Sequence, residues 1–247
     1  MTCWLPGESS NLSQVIMRKG VRSIDVKKLK CVTEFKVNIV RTKRLINSLF
    51  GNITTTETFL EYVSKDNKAV MDNPISKSLV IEKRDRDYIF ELGYIALFAN
   101  FEALMHDFIK DLYQNYPRFM LGIERTVKVS EIVVLESGEK IREWIIDELA
   151  IENSKSIDDW SQFLEKCFKI KVFPNAEFKN QLNMLNQLRN SYLHSGGITN
   201  TRFVRIMQKL LKAKIPLNQS LDFAERERYF KILFSKLNSL VGHLESI

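Results

Sequence analysis

Three polar residues that could act together on a phosphate lie close together near residue 190. They are Arg189, Asn190 and His194, in the stretch LNMLNQLRNSYLHSGGITN. Arginine offers a permanent charge and a planar fork of donors that suits phosphate oxygens, and histidine exchanges protons near neutral pH. Cleavage of RNA through its own 2′-hydroxyl needs a base, an acid and positive charge at the phosphate. These residue types therefore suit phosphodiester chemistry if their side chains converge.

The spacing of these residues works against convergence within one helix. Arg189 and His194 are five residues apart, which is about 140° of rotation on an α-helix. Gly196 stands where helices commonly end in a left-handed residue, so His194 is expected in the last turn. The two side chains can then meet only at the helix end or across an interface with a second copy. The alternative is that both complement the dipole of a solvated helix end, with Leu185, Leu188 and Leu193 buried.

A long apolar segment upstream is the element that must support this helix. The strongest helical pattern runs from about residue 79 to 116, and from Tyr88 onward apolar residues cover most of its circumference. Such a helix normally lies at the centre of a bundle, and Pro117 is expected to end it. The segment 176–194 is predicted to be a second helix, which ends in the polar set.

Weaker patterns predict the remaining elements. GNITTT is expected to end the first helix, residues 65–78 are expected to form a loop, and residues 126–136 fit either a short strand or a connection. Further helices are predicted for residues 25–50, 56–63, 139–152, 157–169, 202–212 and 222–245.

Composition agrees with a helical fold. The chain has 247 residues with only nine Gly and five Pro, which disfavours a β-fold with many tight turns. We therefore predict an all-α bundle, with one short strand pair near residues 126–136 as the open alternative. The predicted division is an N-terminal helical extension, residues 1–75, and a helical domain, residues 76–247. The net charge of +7 fits an acidic partner such as nucleic acid.

The motif and its helical context resemble the HEPN superfamily, the helical domains found in higher eukaryotes and prokaryotes. LNQLRNSYLHSGGI looks like that family's signature, an arginine followed after four to six residues by a histidine, with asparagine directly after the arginine. YIALFANFEALMHDFIKDLY, residues 94–113, is similar to the family's long upstream helix. The order of elements also matches over about residues 79–245. The resemblance implies an HEPN-like helical bundle.

The resemblance further implies a metal-independent endoribonuclease that acts as a homodimer, often a toxin or part of antiviral defence against phage. It implies RNA as the substrate, no metal or other cofactor, and a neutralising antitoxin or defence-system partner. His194 would act as base or acid, Arg189 would hold the phosphate, and Asn190 would orient the motif or donate to a phosphate oxygen. The expected products are a 2′,3′-cyclic phosphate and a 5′-hydroxyl.

Supporting roles are predicted for further residues. Glu102 lies in the apolar part of the long helix, where a charge needs a partner, and the resemblance suggests Arg189; the alternative is that Glu102 faces solvent. Tyr192 either stacks on an RNA base or is buried. Basic residues of VKKLK and RTKRL could guide RNA phosphates or simply form a solvated helix face. These basic residues are Lys27, Lys28, Lys30, Arg41, Lys43 and Arg44.

Several other classes of protein are disfavoured. Three widely spaced cysteines without a CxxC pair indicate neither a disulfide framework nor a zinc site. The sequence has no glycine-rich nucleotide loop, and no stretch is expected to reach the ~20 apolar residues of a membrane span. We therefore expect a cytoplasmic protein without a membrane partner. Two alternatives to a nuclease remain: a non-catalytic HEPN module that dimerises or binds RNA or a nucleotide, and an unrelated helical scaffold.

Overall fold

The fold is all-α, as predicted. The computed structural model describes residues 24–66, 69–79, 83–121, 126, 128–135, 137–195, 198–211 and 216–247. Within these ranges the regular elements are helices, and an isolated antiparallel bridge joins Ile198 to Ser220.

The helices of the described part are labelled in chain order. The long ones are α1 (Lys30–Asp66), α4 (Lys83–Asn115), α8 (Ala176–Ser195) and α10 (Phe223–Leu244). The shorter ones are α2 (Ala69–Asp72), α3 (Pro74–Leu79), α5 (Val129–Leu135), α6 (Gly138–Asn153), α7 (Ile157–Phe168) and α9 (Thr201–Leu211). Short 3₁₀ turns cover Val26–Lys28 and Pro117–Met120.

Helix α4 occupies the centre of the bundle. Helices α1, α6, α8 and α10 pack around it, and its apolar run places Tyr94, Phe101 and Phe108 in full burial. Trp160 of α7 packs edge-on against this run, with its ring centroid 6.0 Å from that of Phe101 and 5.6 Å from that of Phe108. The helix ends just before Pro117, which has no backbone N–H to continue it.

The same burial explains why α4 is so apolar. The stretch Tyr88–Asn115 is long and apolar enough to cross a membrane by length and composition, with a mean hydropathy of 1.3, and half of its most apolar part is buried inside the protein. The expectation that no segment would reach this level is therefore wrong. A helix surrounded by four others must be apolar on most sides, so packing accounts for the composition.

At Gly93, α4 packs tightly against its neighbours. A Cβ added there would lie 2.7 Å from Cγ1 of Ile46 in α1 and 2.9 Å from a ring carbon of Phe230 in α10. We expect Gly93→Ala to lower the free energy of unfolding by about 1–3 kcal/mol through overpacking, measured by urea unfolding. The matched control is Gly51→Ala, where nothing lies within 4 Å, and it should be neutral or stabilise by up to about 1 kcal/mol. Equal midpoints for the two variants would contradict the packing argument.

Helix α1 runs without interruption through GNITTT, so the predicted break is wrong. The hydroxyls of Thr54, Thr55 and Thr58 donate to carbonyls four residues earlier, at 2.9 to 3.1 Å, which satisfies them without leaving the helix. Gly51 costs about 1 kcal/mol, which is too little to end a helix whose inner face is anchored by packing. Residues 65–78, predicted as a loop, contain the end of α1, all of α2 and most of α3.

The segment 126–136 contains a helix, so the strand pair left open for it is wrong. Helix α5 covers Val129–Leu135, and the Ile132 N–H donates to the Lys128 carbonyl at 3.2 Å. The run VSEIVVL favours a strand locally, but strand preference depends on pairing and packing, and the described residues provide no partner strand. Residues 127 and 136 lie outside the described part.

Helix α1 packs directly on the rest of the bundle. Val32, Phe35 and Ile39 belong to the same apolar core as α4 and α10, and Lys36 forms an ion pair with Glu245 at 2.7 Å. A helical extension packed on the bundle therefore describes the part of residues 1–75 that the structure covers. Residues 1–23 lie outside the described part, and the division at residue 75 stays a prediction.

Candidate active site

Helix α8 carries the polar set at its C-terminal end. Asn175 caps its start by accepting a backbone N–H from three residues later at 2.8 Å. The helix packs against α4 through three contacts: Tyr192 lies edge-on against Tyr94 with ring centroids 5.4 Å apart, the Tyr94 hydroxyl donates to the Leu185 carbonyl at 2.8 Å, and Arg189 reaches Glu102. The helical pattern is continuous through the whole motif.

Arg189 is held against α4 by an ion pair with Glu102. Its Nη2 donates to both carboxylate oxygens, at 2.8 Å to Oε1 and 2.6 Å to Oε2. Its Nη1 donates to Oδ1 of Asn190 at 3.1 Å. The side chain of Arg189 is 21% exposed and that of Glu102 is 42% exposed. Arg189 and Glu102 therefore form the pair that the resemblance suggested, and the carboxylate of Glu102 is still accessible to water.

Neighbouring side chains fix the guanidinium of Arg189 without engaging all of its hydrogen-bond donors. Of its five N–H donors, three are engaged by Glu102 and Asn190. Its Nε is buried without a hydrogen-bond partner among the described residues. An additional anion would thus bind to an arginine whose position is set and whose charge is partly offset by Glu102.

His194 lies in the last turn of α8 and is exposed. Because α8 is unbroken from Arg189 to Ser195, the Arg189 and His194 side chains diverge by about 140° around the helix within one copy. The helix end therefore does not bring them together, and an interface with a second copy is the remaining route. The helix-end alternative expected three buried leucines; Leu185 and Leu188 are buried, whereas Leu193 is 50% exposed.

Tyr192 points into the protein. It is 3% exposed, its hydroxyl has no hydrogen-bond partner among the described residues, and burial raises the pKa of its phenol well above the usual range. Of the two predicted roles, the buried one is confirmed and stacking on an RNA base is wrong. The reason is that Tyr94 of α4 occupies the space beside the ring.

The RTKRL turn of α1 lies on another side of the bundle. Asn100 of α4 donates to Oγ1 of Thr42 within that turn at 3.1 Å. Asn100 is about 200° around α4 from Glu102. The structure therefore does not bring the basic residues of this turn to Arg189.

Three of the six basic residues predicted to contact RNA have contacts of their own. Lys28 pairs with Asp25 at 2.9 Å, and Lys30 pairs with Glu34 at 3.0 Å. The Nζ of Lys43 lies 4.3 Å from the centroid of an aromatic ring in α10. The others, which are simply exposed, are Lys27, Arg41 and Arg44.

A second ion pair, fully buried, joins α4 to α10, and sequence reasoning missed it. Nη1 of Arg226 donates to Oε2 of Glu91 at 2.8 Å, and both side chains are at most 7% exposed. Nε and Nη2 of Arg226 donate to the Leu221 carbonyl and the Ser220 hydroxyl, at 2.8 and 3.0 Å. The pattern that pointed to Glu102, a carboxylate within an apolar helix, applies equally to Glu91 and could have identified it. Arg226 lies in the charged run ERERYF, which looks like a solvated face.

This buried pair lies close to the motif helix. Burial raises the pKa of the Glu91 carboxyl, and Arg226 partly offsets that rise. The charges of Arg226 and Glu91 both act on the buried Tyr192 phenol, and the hydroxyl of the neighbouring Tyr229 is also buried without a partner among the described residues. The end of α8 therefore lies beside buried charged groups of both α4 and α10.

Neither metal-site geometry nor similarity to known proteins assigns a role to these residues. Within the described ranges, no group of three or more His, Cys, Asp or Glu side chains is arranged to hold a metal ion. No family model, curated protein or solved structure matches the chain.

Proposed function

We propose that this protein is a metal-independent endoribonuclease of the HEPN type, which cleaves RNA through attack of the 2′-hydroxyl. The observation that carries the proposal is the position of Arg189. Glu102 of the central helix holds it near the end of α8, less than two turns before the exposed His194. A fixed guanidinium and a titratable imidazole supply the charge stabilisation and proton transfer that phosphodiester cleavage requires.

The proposed active form is a homodimer. A two-fold contact repeats each residue, so a cleft between two α8 ends would contain two arginines and two histidines. One His194 would take the proton of the 2′-hydroxyl, and the other would protonate the leaving 5′-oxygen. Asn190 accepts a hydrogen bond from Arg189 at 3.1 Å, so its amide N–H groups remain available for a phosphate oxygen. The half-exposed Leu193 would be covered by the second copy.

The proposed setting is the cytoplasm, in a toxin or an antiviral defence protein. An endoribonuclease that needs no metal can cleave RNA wherever it meets it. The host therefore needs a way to inhibit the enzyme. A neutralising antitoxin or a defence-system partner is therefore part of the proposal.

A non-catalytic HEPN module is the second candidate, because one observation favours it. Glu102 already offsets the charge of Arg189, and Asn190 engages a further donor, so the pair is complete as a structural link between α4 and α8. In that case His194 would complement the helix dipole. The module would dimerise or bind RNA or a nucleotide without cleaving it.

Incubation of the purified protein with single-stranded RNA in EDTA separates the two candidates. The nuclease should produce fragments that end in a 2′,3′-cyclic phosphate and begin with a 5′-hydroxyl. A matched RNA with 2′-deoxyribose at the cleaved position should stay intact, since it lacks the attacking hydroxyl. Intact RNA in the first reaction would favour the non-catalytic module.

Light scattering tests the proposed dimer, and with it the cleft between two α8 ends, independently of activity. The proposal expects a dimer at micromolar concentration. A strict monomer that nevertheless cleaves RNA would rule out the shared cleft, because each copy holds one His194 and the two key side chains diverge within it.

A further inference from the structure

Helix α9 carries a row of basic side chains on its outer face. Arg202, Arg205 and Lys209 are spaced by three and four residues, which puts them on one side of a helix, and all three are exposed. Phe203 and Met207, between them in sequence, are buried in the bundle. The helix is therefore anchored by its apolar side and presents a cationic stripe to solvent.

This stripe adjoins the face of α8 that carries His194. Nη2 of Arg202 donates to Oε1 of Gln187. Gln187 precedes His194 by seven residues, so the two lie on the same face of α8, about 10 Å apart along its axis. The stripe on α9 thus continues the surface at the end of α8, whereas the RTKRL turn of α1 lies on a different side.

The outer face of α9 has no acidic neighbours within the part of the chain that the structure describes. Among the described residues, no carboxylate lies within ion-pair distance of Arg205 or Lys209, in contrast to the Lys28–Asp25 pair. Exposed cations without acidic partners attract phosphates at long range, and each phosphate they contact releases a counterion. An extended polyanion gains more from such a stripe than a single small anion does.

We infer that Arg202, Arg205 and Lys209 form a phosphate-binding track that leads a single-stranded RNA to the His194 end of α8. This inference rests on the proposed function, because the proposed Arg189–His194 cleft is the place to which the track would lead the strand. A single strand is the partner it fits, since a straight row of cations can follow a flexible backbone. The attacking 2′-hydroxyl must also swing into line with the leaving oxygen, which a base-paired strand resists.

The test measures binding without cleavage. A fluorescent single-stranded RNA is titrated with His194→Ala protein at several salt concentrations, and the titration is repeated with Arg205→Gln/Lys209→Gln added. We expect the added pair to weaken binding about tenfold at low salt and to reduce the slope of log K against log salt by about 1.4, at about 0.7 for each lost phosphate contact. Circular dichroism verifies that the variant is folded.

The matched control removes two exposed charges from the other side of the protein. Arg41→Gln/Arg44→Gln, in the same His194→Ala background, lowers the net charge by the same amount and should leave affinity and salt slope nearly unchanged. Equal losses of affinity for both pairs of replacements would mean that only net charge matters. Unchanged RNA affinity of the α9 variant would mean that RNA binds to another surface. Either result, or absence of RNA binding by the parent protein, overturns the track.

The readouts separate this inference from the proposed function. If wild-type protein fails to cleave RNA while binding still depends on α9, the nuclease proposal fails and the track stands. If wild-type protein cleaves RNA while the α9 variant binds normally, the nuclease stands and the track fails.

Discussion

Replacement of His194 by alanine is expected to slow RNA cleavage by about 10²–10⁴-fold, because a dimer of the variant would lose both its proposed general base and its proposed general acid. The measurement is the single-turnover rate with labelled single-stranded RNA in EDTA near neutral pH. His243→Ala is the matched control, since that ring lies outside the motif, with Nε2 2.9 Å from the Lys171 carbonyl. A wild-type rate for the His194 variant would mean that another group moves the proton.

Arg189 requires a test that separates chemistry from folding. Arg189→Ala should lower the cleavage rate by about 10²–10³-fold through loss of charge stabilisation, but it also breaks the link from α8 to α4. Glu102→Gln removes the carboxylate and keeps the arginine. If Arg189 is only a structural link, both variants should lose similar stability and leave cleavage at the wild-type level. If it holds the phosphate, the two variants should differ strongly in rate.

The shared cleft gives the His194 prediction a second readout. Co-expression of wild-type subunits with an excess of His194→Ala subunits should yield mixed dimers that lack either the base or the acid in each cleft. Activity per wild-type subunit should then fall well below that of the pure wild-type dimer. Activity proportional to the wild-type fraction alone would indicate that each subunit works independently.

The sequence predicted the elements whose patterns are long and one-sided. The apolar circumference from Tyr88 onward predicted a central helix, and α4 is that helix. The signature segment ends in a helix as expected, and Glu102 lies where a carboxylate can meet Arg189. These features depend on local periodicity and on the rule that a charge in an apolar helix needs a partner.

What the sequence could not supply depends on contacts between distant segments. Gly51 and the threonines after it look like a helix break, but the packing of α1 on α4 and α10 outweighs the local preference. The direction of Tyr192 was open because its side chain meets Tyr94, which lies far away in sequence. The relation of α9 to the site likewise depends on the contact between Arg202 and Gln187. Periodicity alone does not reveal such contacts.

Loss of the buried arginine at position 226 is expected to have the largest effect on stability. Arg226→Met leaves the Glu91 carboxylate buried without a counter-charge and removes the donors to Ser220 and Leu221. Breaking a buried pair in this way costs about 3–5 kcal/mol, a large part of the roughly 5–15 kcal/mol that stabilises a typical domain. Urea unfolding followed by circular dichroism measures the loss.

The pH dependence of this loss identifies its cause. Burial raises the pKa of Glu91, and Arg226 now offsets part of that rise. Without Arg226 the folded-state pKa lies further above the unfolded value, so between these two values the folded state binds more protons than the unfolded state. Stability of Arg226→Met relative to wild type should therefore fall as pH rises from acid through that window.

A double replacement separates an unpaired charge from lost hydrogen bonds. Glu91→Leu/Arg226→Met removes both charges from the interior, and replacing a buried pair by apolar residues of similar size is often neutral or stabilising. The double variant should thus recover most of the stability that Arg226→Met loses, and the added pH dependence should disappear. A double variant as unstable as the single one would assign the cost to the contacts with Ser220 and Leu221, which both variants lack.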